Sequence, residues 1–225
     1  MVRIGFVAVL AGGMALAGAM PSSAQTGTIR GVVTTDARTP PPIRVSFDQR
    51  VCGNELPDQS VLKATDGGLA NAVVSVTGVK AKSAPEEAVV LNQKCAFVPR
   101  VQIVAPNGRV KTSSTDPMLH TTVVSQADGR QLFNVALPAP GIELTKSIGS
   151  AEVLRVGCST HQWMRGWLVV TDEASAVTGR DGGFTISGVP PGTYELRTWH
   201  ESLHAATQKV TVQAGKTTDV RIQAK

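Results

Sequence analysis

The sequence predicts an all-β protein. Apolar residues come in short bursts rich in β-branched side chains, turn-forming residues separate the bursts, and no stretch has the spacing of a long amphipathic helix. The bursts fall at residues 29–33, 72–76, 101–105, 132–137, 153–156, 167–170, 194–198, 210–212 and 220–222. Asn107-Gly108, Asp128-Gly129, Asp181-Gly182-Gly183, Pro190-Pro191-Gly192 and Ala214-Gly215 punctuate them. Many short strands at this spacing argue for β-sandwiches.

The first residues read as an export signal. Arg3 supplies a positive start, residues 4–20 form an apolar run, and Ser22-Ser23-Ala24 offers the small-residue pattern of a cleavage site. Cleavage after Ala24 of the 225 residues would leave 201, enough for one large or two small domains. An uncleaved anchor helix is the alternative, but a run of 17 residues rich in Gly and Ala is at the short end of what spans a bilayer. Neither a lipid-anchored cysteine at the boundary nor a later apolar span follows, so the mature chain is expected without a membrane span, in the periplasm or secreted.

Composition excludes one class. Without Arg3 the chain carries 21 Lys plus Arg against 17 Asp plus Glu, with no long basic run. A nucleic-acid binder would cluster its bases on one face. The modest excess can still steer an acidic protein partner.

Three cysteines in an exported chain leave one unpaired, and three different single bridges are possible. Cys52 and Cys95 lie in loop-like contexts, whereas Cys158 stands among other metal-binding side chains. The expected bridge is therefore Cys52–Cys95, with Cys158 free.

The C-terminal stretch Asp181-Gly182-Gly183-Phe184 through Val189-Pro190-Pro191-Gly192-Thr193-Tyr194 to Leu196 resembles the hairpin of carboxypeptidase regulatory-like domains, which are small transthyretin-like sandwiches. Such domains begin with strands of the type Thr28-Ile29-Arg30-Gly31-Val32-Val33 and Gly68-Leu69-Ala70-Asn71-Ala72-Val73-Val74-Ser75-Val76. Both are present, about a hundred residues before the hairpin. The layout this implies is a regulatory-like sandwich split between residues 27–83 and 173–225, with a second domain at 84–172 inserted where loop tips tolerate it. Two consecutive domains are the simpler alternative.

Chemistry concentrates in Cys158-Ser159-Thr160-His161-Gln162-Trp163-Met164, a thiol, an imidazole and a thioether on one loop between two strands. Soft sulfur donors plus imidazole suit copper, and two His, one Cys and a weak axial Met is the blue-copper set. His120, after the turn Asp116-Pro117-Met118-Leu119, can reach the same end of a sandwich. Zinc competes less well, because a Met ligand suits it poorly.

The pattern Cys-x-x-His-x-x-Met followed by Arg-Gly and a strand, with a lone upstream His, is similar to that of cupredoxins of the short-loop amicyanin type. It covers residues 97–172, less than half of the mature chain. The resemblance implies a Greek-key sandwich, equatorial copper ligands His120, Cys158 and His161, and axial Met164. Thr121 stands where that family commonly has Asn, and Gln162 where it commonly has Pro, two changes expected to loosen the site or shift its potential.

Taken singly, each candidate has a bland reading: a lone Cys is a small buried hydrophobe, a lone Met a gap-filler, a lone His a satisfied core or surface residue. Their types and spacing together favour the metal. His200 and His204 sit four apart but in strand and loop sequence, and are expected to pack or face solvent. Ser159 has no nucleophile elbow and no evident Asp to orient His161, and the Gly-rich turns lack the strand-to-helix context of a phosphate cradle. Hydrolase and nucleotide-binding readings lapse.

The expected function is non-enzymatic transfer of single electrons between redox protein partners. His161 is expected to offer partners an edge, and Met118, Leu119, Pro138, Pro140 and Trp163 an apolar docking collar around it. The alternatives are copper storage, delivery or sensing, and a metal-free adhesion or polysaccharide-binding module.

Overall fold

The computed structural model describes residues 1–2, 25–150 and 153–225. The expected signal segment lies outside the described residues, apart from its first two. Along the chain run β1 (Gly27–Thr35), β2 (Ile43–Arg44), α1 (Gln49–Cys52), β3 (Glu55–Leu56), β4 (Val73–Lys80), β5 (Glu87–Gln93) and β6 (Ala96–Val98). Next come β7 (Val101–Val104), β8 (Arg109–Ser114), β9 (His120–Ser125), β10 (Gln131–Leu137), β11 (Glu143–Ser147) and β12 (Val153–Gly157). The chain ends with β13 (Arg165–Val170), β14 (Glu173–Val177), β15 (Gly183–Val189), β16 (Gly192–Trp199), β17 (Gln208–Val212) and β18 (Thr217–Ala224). The architecture is all-β and multi-sheet, and every apolar burst singled out in the sequence falls on a strand, apart from its end residues Ala72 and Ala105.

Two sheets enclose a first core. One has the order β15-β1-β18, the other β14-β4-β16-β17. β1 runs antiparallel to β15, with Ile29 opposite Ile186, and parallel to β18, with Val33 opposite Ile222. Alternating residues of these strands, among them Ile29, Val33, Val74, Val76, Phe184, Ile186 and Leu196, bury one face in common. The turn between β14 and β15 needs glycine at Gly182: its φ is +75°, and a Cβ there would sit 2.3 Å from the Val33 carbonyl oxygen.

A second core lies between the sheets β10-β9-β12-β13-β7 and β11-β8-β5-β6. Val90, Phe97, Val110, Val124, Leu154 and Leu168 pack there with Cys158 and Met164. Between the two cores, Val73 of β4 meets Val101 and Val169, so β4 and β13 are covered on both faces. Trp167 and Trp199 touch edge to face there, with centroids 5.7 Å apart. Arg100 donates to Glu201 through Nε at 2.6 Å and a second nitrogen at 2.8 Å, with the two side chains 10% and 4% exposed.

The short pair β2–β3, with α1 between its strands, forms a flap on the second core, where Val45 and Cys52 are buried. Cys52 and Cys95 form a disulfide and Cys158 is free, as expected. Among the described residues no helix is long and apolar enough to cross a membrane.

Candidate metal centre

The candidate centre sits at one end of the second core. β9 opens at His120, and β12 ends at Gly157, which lies opposite Val123 of β9. Antiparallel pairing therefore carries Cys158, one residue past the strand end, back toward the start of β9. The following loop returns to β13 through a tight turn, in which Met164 N–H donates to the His161 carbonyl at 2.9 Å.

The structure brings together His120, Cys158 and His161: one ring nitrogen of each histidine and the cysteine sulfur all lie within 4.8 Å of one another. His120 and His161 are 0% exposed, Cys158 6% and Met164 2%. His161 Nδ1 is 3.7 Å from Cys158 Sγ. His120 Nδ1 is buried with no hydrogen-bond partner in the protein. Such an orphan is rare in a core, and its lone pair is one that a metal ion could take.

The outer nitrogen of each ring is occupied. His120 Nε2 is 2.9 Å from Asp116 Oδ2, and His161 Nε2 is 3.0 Å from Asp48 Oδ2. A carboxylate on Nε2 holds the proton there and leaves Nδ1 as the free lone pair, the arrangement that orients metal-binding histidines. Burial alone would lower the His120 pKa, but Cys158 and Asp116 outweigh it and raise it. Burial alone would raise the Cys158 thiol, yet the adjoining His120 imidazole, Thr121 and the His161 backbone outweigh it and bring it down to about 5. The pocket is thus built for a thiolate, the form that binds metal.

Thr121 ties the segment that carries His120 to the one that carries Cys158. Its N–H points at Cys158 Sγ at 3.4 Å, and its hydroxyl accepts from Ser159 N–H at 2.7 Å.

His161 differs from expectation. It offers no open edge, because Phe47 stacks on its ring, with centroids 5.2 Å apart and planes at 24°, and Asp48 occupies Nε2. Of the expected collar, Leu119, Pro138 and Pro140 are exposed while Met118 and Trp163 are half-buried, Trp163 lying against both Phe47 and His161. Sequence reasoning missed Phe47, Asp48 and Asp116 as parts of this centre. Asp116 had a signal, a carboxylate four residues before His120, but Asp48 is 113 residues from His161 and had none.

A second cluster, Cys95, Asp116 and His120, overlaps the first, but its sulfur is held in the disulfide. His200 and His204 do not form a pair: His200 is buried in a turn, where its Nδ1 accepts from Ser202 N–H, and His204 faces solvent.

Residues 165–225 match the carboxypeptidase regulatory-like domain. No curated protein matches the chain. Among solved structures it is similar to a purple cupredoxin from Nitrosopumilus maritimus at 19% identity, covering 37% of this chain and 99% of that one with a TM-score of 0.33. It is also similar to amicyanin from Paracoccus versutus at 17% identity, covering 44% of this chain and 97% of that one with a TM-score of 0.34. The copper-containing nitrite reductase of Thermus scotoductus SA-01 aligns at 15% identity over 62% of this chain and 28% of its own, with a TM-score of 0.34.

Proposed function

We propose that this chain is an exported blue-copper protein that holds one copper ion on His120, Cys158, His161 and Met164 and passes single electrons between protein partners. The observation that carries the reading is the buried convergence of two imidazoles and a thiolate-prone cysteine, with His120 Nδ1 left without a partner. Thiolate, imidazole and thioether are donors that suit copper in both of its common oxidation states, which is the one-electron chemistry the metal would supply. The chain's own part is to hold these donors in a closed, dry pocket with little freedom to rearrange. Copper storage or delivery is the second reading, and the covering of His161 by Phe47 and Asp48 favours its storage form.

In this reading residues 84–172 form the copper domain, inserted in a regulatory-like sandwich made of 27–83 and 173–225. The pairing of β1 with β15 and β18, and of β4 with β14 and β16, supports that layout. The test is a visible spectrum of the purified protein with Cu(II) added. One equivalent should give an intense thiolate-to-copper band, and Cys158→Ser should abolish it, since the thiolate is its source. An unchanged spectrum and copper stoichiometry in Cys158→Ser refutes the site. Reversible redox cycling with retained copper supports electron transfer, and ready loss of copper to an acceptor supports delivery.

A further inference from the structure

We infer that Phe47 and Asp48 form a built-in cap that positions His161 and closes the centre from solvent; this rests on the metal reading above. Three features make the cap a fixed part of the structure. Its stem is paired, with Ile43 opposite Leu56 and Val45 N–H donating to Asn54 at 3.0 Å. Its underside is buried, with Val45 3% exposed. Its helix is bolted to the sandwich through the Cys52–Cys95 disulfide.

The tip of the cap is shaped around the imidazole. Asp48 has φ 57° and ψ 28°, the left-handed region that Asp enters more easily than most residues. That conformation lets its carbonyl accept from Val51 N–H and Cys52 N–H, both at 3.0 Å, while its carboxylate turns back to His161 Nε2. Phe47, 43% exposed, covers the ring face that the strands leave open. Asp48 is thus a positioning residue: accepting the Nε2 proton commits Nδ1 to the thiol side. Phe47 is the barrier against water and small ligands. The segment sits where a partner or an incoming ion would approach His161, so it sets how fast metal exchanges and how closely a partner's group can come.

The experiment uses the full exported chain with copper as probe. Asp48→Ala should weaken copper affinity by about 10- to 100-fold, as loss of a carboxylate behind a ligand histidine does, with Asp48→Asn intermediate because its oxygen still accepts the proton. Phe47→Ala should speed copper loss to a chelator and let added imidazole alter the visible band, which it leaves unchanged in the parent. A second readout needs no metal: the His161 Nε2–H resonance in the metal-free protein should be protected from exchange, lost in Asp48→Ala, and exchange faster in Phe47→Ala. If the parent binds no copper the metal reading fails, and the proton resonance alone judges the cap. Variants that fold as the parent does, by circular dichroism, yet keep its exchange and copper-release rates would overturn the proposal.

Discussion

The Asp116 carboxylate serves His120 and a strained turn at once. Besides meeting His120 Nε2, it accepts Lys94 N–H at 2.7 Å and Cys95 N–H at 2.8 Å. Lys94 and Cys95 are the two residues joining β5 to β6, and their φ values of 50° and 58° are both left-handed. Two such residues make a hairpin turn of the kind usually built from Asn-Gly, and here Asp116 supplies the support that Lys and Cys lack.

Asp116→Ala strips this turn of two charge-assisted hydrogen bonds and leaves a buried imidazole N–H unpaired. The expected loss of stability is about 3 kcal/mol or more, read from the urea midpoint of the metal-free protein. A change below about 0.5 kcal/mol would mean the turn stands without the carboxylate.

Metal-free protein should also report the Cys158 thiolate directly. Its pKa in the folded chain is about 5, against an ordinary value of 9.0. A group whose folded pKa is depressed stabilises the fold fully above its unfolded value, and this contribution is lost as pH falls from 9 toward 5. His120 acts in the opposite sense: its raised pKa stabilises the fold below its ordinary 6.5, and that share is lost as pH rises through the folded value. The ultraviolet thiolate band should therefore titrate near pH 5 in the folded protein, far below its midpoint after unfolding. A midpoint near 9 in the folded state would show that the pocket does not favour the thiolate.

The strand set and the clustering of Cys158 with His161 were legible because each is written locally. β-Branched runs between turn dipeptides mark β1, β7, β12, β13, β16 and β18, and Cys158, His161 and Met164 share one loop. β8 and β11 were not legible. β8 reads Arg109-Val110-Lys111-Thr112-Ser113-Ser114, and it buries Val110, Thr112 and Ser114 because the Thr112 hydroxyl finds that of Thr122 inside the core. A polar residue that is satisfied only across the sandwich carries no local hydrophobic signal. The β5–β6 hairpin was hidden for a related reason, since its turn residues depend on a carboxylate 21 and 22 residues away. The flap at 43–56 was hidden most deeply, because its two strands have two residues each and its tip is specified by His161, far along the chain.

At the seam between the two cores, Arg100 and Glu201 form a buried, two-pronged ion pair. Arg100 lies just before β7 and also donates to the Arg165 carbonyl at 3.2 Å, while Glu201 lies just after β16, so the pair fastens a strand of one core to a strand of the other. Removing one partner leaves a charge out of water with nothing to compensate it. Glu201→Ala should therefore cost about 3 to 5 kcal/mol, whereas replacing both by apolar residues of similar volume should cost much less, because no charge is then stranded. Calorimetry on the two single variants and the double variant closes the cycle. The apolar seam of Val73, Val101, Val169 and the Trp167–Trp199 contact remains in the double variant, so it should still unfold as the parent does. In Glu201→Ala, by contrast, the stranded Arg100 weakens the seam, and the two cores are expected to melt in separate steps. A single transition at the parent temperature in Glu201→Ala would show that stranding Arg100 costs the seam nothing.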